Sequence, residues 1–456
     1  QPVHRGPAAH REAAGLRLDA FKPPNHSHPA MNESDVGMEL FLTEGVPGIG
    51  GKLKKAPEDF VVDEISIMPP ESADGKFVVA KVWHRNWEAN RLVRRLASNL
   101  HVGRSRIGFA GTKDGRAVAT QLMSFNAPIE DVTALTIPDV RVTDAYRARR
   151  MIEIGDLIGN RFSIKVSDIE QGVDARDSCE RARQVLDRAG GFPNYFGVQR
   201  FGSVRPITHM IGKDLTRGDF EGAVMRYVAN PLMEDSEVTE ARRRLQESRD
   251  FEAALREFPM KLTFERTMIR HLAESPGDYL GALKTLPQNL LMMFVHAYQS
   301  YLFNRMLSER LRRGMSLRDP EVGDLVLPLD KNRLPDHDSP IPVTADNLEK
   351  ARRNAREGKA FVSGLLYGTE SAFAEGPMGE IEREVVAGEG ISKMDFQIVG
   401  LGEASSKGTR RELLAPYRDL EMVLGDGEAT FSFSLNKGCY ATCMLREFMK
   451  AEMSQY

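Results

Sequence analysis

Cysteine is scarce in this chain: three residues, Cys179, Cys439 and Cys443, among 456. None stands in a Cys-x-x-Cys pair, and three thiols cannot build a disulfide framework. A stapled secreted scaffold and a zinc knuckle are both excluded. Cys439 and Cys443 stand four apart with no histidine beside them, so no metal-ligand pattern arises there. Long apolar runs are missing too. The longest, around residues 290–295, is far short of the roughly 20 residues that span a bilayer. Neither a Gly-x-Gly-x-x-Gly fingerprint nor a Gly-x-x-x-x-Gly-Lys-Ser/Thr loop is present, which removes the common dinucleotide and P-loop nucleotide sites. A reduced, cytoplasmic protein with no membrane segment, metal or cofactor is the expectation.

What is present describes a globular chain. Hydrophobic residues make up 41% and charged residues 28%, enough for a sizeable core, and the length suggests two domains or three. Residues 1–30 stand apart. They carry four of the ten histidines, His4, His10, His26 and His28, with several prolines and no sustained periodicity. They read as a flexible appendage, upstream or expression-derived, before a natural start at Met31. No charged-then-apolar leader is seen, which argues against secretion.

The rest alternates strand and helix patterns, a mixed α/β (α+β) chain. Residues 59–67 and 76–84 alternate at period two, as half-buried strands do. Residues 87–100 place Leu92, Leu96 and Leu100 on one helical face. Two short strand-like runs flank Gly159-Asn160-Arg161-Phe162, and a helix over 175–188 ends at Gly190-Gly191, a C-cap signal. From about 195 to 400 long amphipathic patterns dominate, notably 238–255 and 286–313. Strand patterns return at 412–424 and 429–435, then a helix at 440–453. Strands at both ends with helix between them predict one domain inserted in another.

Net charge is −3, but unevenly placed. Residues 91–150 hold eleven Lys and Arg against five acids, a net of +6, whereas 361–400 hold seven acids against two cations, a net of −5. Such polarity suits a nucleic-acid face on a neutral protein.

The segment Gly111-Thr112-Lys113-Asp114-Gly115-Arg116 concentrates the chemistry. It sets one carboxylate between two cations, which favour its charged form and suit a nucleophile, while the cations suit a phosphate backbone. Lys-Asp-Gly-Arg between apolar runs is equally ordinary hairpin-turn chemistry. Four other segments bear on function. Lys52-Leu-Lys54-Lys55-Ala-Pro-Glu-Asp-Phe60 packs cations ahead of a strand. Asn160 and Phe162 offer an amide for a base edge and a ring for stacking, or else a turn residue and a core aromatic. Residues 194–202, Asn-Tyr-Phe-Gly-Val-Gln-Arg-Phe-Gly, interleave aromatics and glycines with Arg200. Gly408-Thr-Arg410-Arg411 sets an arginine pair after a glycine.

Their order is more telling than any one of them. A basic Pro-Glu-Asp-Phe strand, Gly-Thr-Lys-Asp, Gly-Asn-x-Phe, Asn-Tyr-Phe-Gly-x-Gln-Arg-Phe-Gly and Gly-x-Arg-Arg-x-Leu together resemble the TruD family of tRNA pseudouridine synthases. His-Ala-Tyr-Gln-Ser-Tyr-Leu-Phe-Asn at 296–304 and Leu-Asn-Lys-Gly-Cys-Tyr-Ala-Thr-Cys-Met-Leu-Arg at 435–446 fit as well. The likeness runs from about residue 51 to 450. The length and Pro276-Gly277-Asp278-Tyr279 favour the archaeal and eukaryotic branch. Asn436, Cys439 and Cys443 depart slightly from the family's final motif.

The resemblance implies a pseudouridine synthase core, a mixed and largely antiparallel sheet flanked by helices, interrupted by a helix-rich TRUD domain. The boundaries expected are 31–194 and 406–456 for the catalytic part and 195–405 for the insert. Asp114 matches the catalytic nucleophile, Lys54 its basic partner, and Asn160 and Phe162 the active-site pair. Phe60, Lys113, Arg116, Arg200, Arg410 and Arg411 are the expected RNA contacts. The implied substrate is uridine 13 in the D-arm of tRNA, handled without a cofactor; a monomer is the default expectation, since no heptad seam or exposed apolar strip is seen. Two rivals stand beside it: a non-catalytic RNA-binding or chaperone protein using the same basic face, and a phosphate-handling small-molecule enzyme built on the Gly111–Asp114 turn.

Overall fold

The computed structural model describes residues 32–202, 205–232 and 234–456. The expected appendage at residues 1–30 lies outside them. Residues Met31–Tyr456 form one compact unit.

Its largest element is a nine-stranded sheet. Seven strands lie in the order Tyr417–Leu424, Glu428–Asn436, Leu157–Ile169, Phe60–Ser66, Val118–Phe125, Phe77–Arg85 and Val140–Ala148. Gly50–Lys52 and Ile107–Phe109 pair at its margins. All pairings are antiparallel except that of Phe60–Ser66 with Val118–Phe125. The fold is therefore mixed α/β with a largely antiparallel sheet. Two strands come from the far end of the chain, so the long intervening stretch leaves the sheet and returns to it.

That stretch is mostly helical. Its centre is the 25-residue helix Gln288–Arg312, which buries Leu291, Phe294, Tyr298, Leu302, Phe303 and Met306. It is apolar over much of its circumference, as a helix inside a bundle must be. The run expected as one helix over 238–255 is two, Ser236–Ser248 and Phe251–Glu257. Arg249 turns left-handed at φ 52°, and the Asp250 carboxylate caps the second helix by accepting from the Ala253 N–H at 2.9 Å. The Pro- and Asp-rich stretch 317–342 contributes strands Leu325–Pro328 and Ile341–Pro342 to a four-stranded sheet with Ala360–Leu366 and Thr409–Glu412. The helix Ala175–Ala189 ends at Gly190 with φ 83°, the left-handed cap that glycine adopts without a Cβ clash.

Two local expectations change. Gly159-Asn160-Arg161-Phe162 is no turn but the middle of the continuous strand Leu157–Ile169. Glycine is required at 159 because a Cβ there would stand 2.0 Å from the Leu435 carbonyl oxygen. Residues 110–117 do link an antiparallel pair, Ile107–Phe109 with Val118–Phe125, as a hairpin reading requires, but as an open loop in which neither Gly111 nor Gly115 adopts a positive φ. No helix among the described residues is long and apolar enough to cross a membrane.

Candidate active site

The register places a row of side chains on one face of the sheet. Val62 stands opposite Ala119 on one side and Phe162 on the other, Phe162 opposite Phe433, and Ala119 opposite His84. One step along, Glu64 stands opposite Asn160. Side chains two residues apart on a strand share a face, so Phe60, Val62 and Glu64 point together, as do Asn160 and Phe162. Apolar neighbours make this face a floor. The Phe162 ring lies 6.1 Å from Phe60, edge to face, and 5.6 Å from Phe433.

The loop 110–117 folds over that floor, and consecutive residues in it find different partners. Lys113 Nζ meets Glu64 Oε2 at 2.5 Å, and the two side chains are 4% and 0% exposed. The other oxygen of Glu64 accepts from Ser66 Oγ at 2.7 Å and the Leu122 N–H at 3.3 Å. Asp114 pairs instead with Lys54, sixty residues upstream, and its second oxygen accepts from the Arg116 N–H at 3.1 Å. Asp114 is 30% exposed and Lys54 14%, so this carboxylate remains within reach of a bound molecule.

Lys54 is held firmly. Its backbone is left-handed at φ 56°, uncommon for a residue with a Cβ. Leu53 N–H donates to the Gln455 carbonyl at 2.9 Å, and Arg116 Nη2 donates to the Lys55 carbonyl at 2.7 Å, which ties the lysine loop to the aspartate loop. Lys54 Nζ also lies 4.6 Å from the centroid of the Phe60 ring.

Three buried polar atoms on this face have no hydrogen-bond partner among the described residues: Asn160 Oδ1, Gln121 Oε1 and His84 Nδ1. Such atoms are costly unless a ligand or solvent group meets them. His84 is pushed down to about 4, first by burial and then by the charge of Lys113, so its ring is neutral near pH 7.

The expected RNA contacts divide by burial. Arg116 is exposed, as are Arg91, Arg94, Arg95, Arg104, Arg106, Arg141, Arg147, Arg149 and Arg150. Lys113 is turned inward to Glu64, so it is a structural cation rather than a phosphate contact. Arg410 is likewise corrected. Its guanidinium is buried against Glu382 at 2.5 Å and bonds the Ser363 carbonyl at 3.1 Å, leaving nothing for a phosphate. Phe60, 5% exposed, is part of the floor and not an open stacking platform. Arg200 and Arg411 line a separate cavity. Glu64 carries no role in the sequence reading. Its signal was there: period two puts an acid on the same face as buried Phe60 and Val62.

Comparison with known proteins bears on this arrangement. The family model described as tRNA pseudouridine synthase D (TruD) matches residues 35–448. A protein of Methanococcoides burtonii named as a probable tRNA pseudouridine synthase D is 40% identical, covering 92% of this chain and 97% of its own. One of Natronomonas pharaonis with the same name is 41% identical over 93% and 98%. A crystal structure described as that of the putative tRNA pseudouridine synthase D (TruD) from Methanosarcina mazei superposes with a TM-score of 0.80 at 38% identity, covering 93% of this chain and 98% of that one. With family model, relatives and fold in agreement over nearly the whole chain, the protein belongs to the TruD family of tRNA pseudouridine synthases and is an isomerase.

Proposed function

We propose that this enzyme converts one uridine of tRNA, at position 13 in the D-arm, to pseudouridine, with Asp114 as nucleophile on a flipped-out base. The observation that carries this reading is the accessible Asp114 carboxylate, fixed by Lys54 above a floor that bears Phe162 and the unpartnered Asn160 amide oxygen. The isomerisation breaks the N1–C1′ bond and forms C5–C1′. C5 gives up a proton and N1 gains one, so the change is redox-neutral and calls for no cofactor. A carboxylate oxygen of Asp114 bonds to the substrate and is released when the rotated uracil closes onto C1′. Lys54 compensates the carboxylate's charge before attack and again on release. Asn160 Oδ1 supplies an acceptor to the imide N–H of the base, and the apolar floor excludes water while the base turns.

Extracting the uridine from its stack costs a few kcal/mol. The ten exposed arginines within residues 91–150 supply backbone attraction to offset that cost. We read residues 31–194 and the C-terminal strands as the catalytic part and the helix-rich stretch from 195 as the insert. The pairing of Leu414–Ala415 with Phe192–Pro193 supports a return to the catalytic part in the segment 406–456. The working unit in this reading is a cytoplasmic monomer.

The test is tritium release from tRNA labelled at uridine C5. Wild type is expected to release tritium and Asp114→Asn to lose release by about 10³-fold or more, while still binding tRNA. Equal release from both would overturn the nucleophile. No release by wild type from any tRNA would favour a non-catalytic RNA-binding protein.

A further inference from the structure

Beside the sheet lies a cavity of about 510 Å³, walled by His296, Gln299 and Ser300 of the central helix, by the loop 405–409, and by Phe196, Arg200 and Arg411. Its charge is unbalanced. Arg411 donates to Asn194 Oδ1 at 2.7 Å, to the Asn194 carbonyl at 3.3 Å and to the Gly438 carbonyl at 2.8 Å, all neutral. Arg200 donates from Nε to Ser300 Oγ at 3.3 Å. Neither guanidinium is in ion-pair contact with a carboxylate among the described residues. The neighbouring acid, Glu412, bonds His337 Nε2 at 2.9 Å; against its burial, that bond and the charge of Arg411 hold it below its usual range, so Arg411 is partly compensated at a distance while Arg200 is not. Both guanidiniums nevertheless crowd one ring, at 4.2 Å (Arg411) and 5.9 Å (Arg200) from the Phe196 centroid.

Two partly desolvated like charges facing one cavity are unfavourable unless an anion joins them. Their mutual effect is visible: burial, with Arg411 adding to it, holds Arg200 below its usual range, and burial with Arg200 does the same to His296. One wall residue of the cavity, Arg411, is tied toward the active-site strand. Arg411 bonds Gly438, two residues beyond Asn436, which stands opposite Gly159 next to Asn160.

We propose that this cavity is a phosphodiester subsite in which Arg200 and Arg411 together hold one backbone phosphate of the RNA whose uridine reaches Asp114. The inference rests on the tRNA-modifying reading above. Planar guanidiniums suit it, since each presents paired donors to phosphate oxygens. Arg411 is the fixed member, braced by Asn194 and Gly438. Arg200, whose terminal nitrogens bond none of the described residues, is the member that closes on the phosphate.

The test compares full-length wild type, Arg200→Gln and Arg200→Lys. Binding of unmodified tRNA is measured against salt concentration, and melting temperature with and without inorganic phosphate at matched ionic strength. Arg200→Gln is expected to weaken tRNA binding about 10-fold and to lower the log–log salt slope by about one phosphate contact, with Arg200→Lys between. Because an uncompensated charge is removed, the melting temperature of Arg200→Gln should equal or exceed that of wild type. Phosphate should raise the melting temperature of wild type and not of Arg200→Gln. An unchanged tRNA affinity and slope would overturn the subsite. So would a lowered melting temperature without a change in slope, which marks a structural arginine. Phosphate stabilisation that depends on Arg200 while tRNA binding does not would assign the cavity to a free anion instead. Failure of wild type to release tritium would strike the enzymatic reading separately, because the phosphate measurement does not depend on it.

Discussion

Lys113 and Asp114 are adjacent in one loop, yet their ion pairs belong to different regimes. Lys113–Glu64 is closed from water, with the acid's other oxygen accepting from both Ser66 and Leu122. Lys54–Asp114 lies at the same loop's outer side, partly exposed, with one carboxylate oxygen bonded only to a backbone N–H. A buried pair resists change because parting it strands a charge in low dielectric. An accessible pair can exchange its cation for a substrate at modest cost. The loop thus anchors itself with one residue and keeps the next available.

The sharpest way to break this contrast is Glu64→Ala. It leaves the Lys113 ammonium buried and alone, and unfolding in urea should show a loss of about 3–5 kcal/mol. Asp114→Asn, by comparison, should cost no more than about 1 kcal/mol while losing activity, because the charge it strands on Lys54 can reach solvent. Replacing both inner partners, Glu64→Leu with Lys113→Met, should restore most of the stability lost in Glu64→Ala. Stability that stays low in the double variant would mean that Glu64 acts through its bonds to Ser66 and Leu122.

A smaller effect comes from acid. His84 behind the inner pair is pushed down to about 4, against an ordinary 6.5 when unfolded. The unfolded ring takes up its proton first as pH falls, so the contribution to stability is whole above about 6.5 and is lost progressively toward 4. Melting temperatures across that window should fall for wild type and fall less for His84→Gln. His209, also pushed down to about 4 by burial, contributes in the same direction and leaves a residual slope.

The smallest effect is expected at Gly115. Its φ is not positive, and a Cβ there would meet only Glu88 at 3.6 Å, ordinary contact. Gly115→Ala should change stability by no more than about 0.5 kcal/mol and retain tritium release. A large loss would mean that the loop must pass through a left-handed conformation when substrate binds.

Legibility followed locality. The strands at 60–66 and 77–85 and the helix at 89–99 were readable because period two or period 3.6 is written into consecutive residues. Gly159 misled because a glycine inside a strand pattern signals a turn, whereas here it admits the Leu435 carbonyl from a strand about 270 residues later. Arg410 misled for a related reason. An arginine pair after a glycine looks exposed, and its partner Glu382 lies 28 residues away on another element.

Alternation, capping residues and the placement of Phe60, Val62 and Glu64 on one strand face are properties of short segments, and the sequence by itself determined them. It also determined the ordered segments that mark the family. Through the family resemblance those segments also point to Lys54 as the partner of Asp114, whereas the partner of Lys113 was decided only by tertiary structure. Lys113 and Asp114 as neighbours invite a local pairing, but the loop's descent onto the sheet delivers Lys113 to Glu64, and the braced turn at Lys54 delivers its ammonium to Asp114. Charge partners are chosen by distance in space, and distance in space is set by the packing of the whole chain.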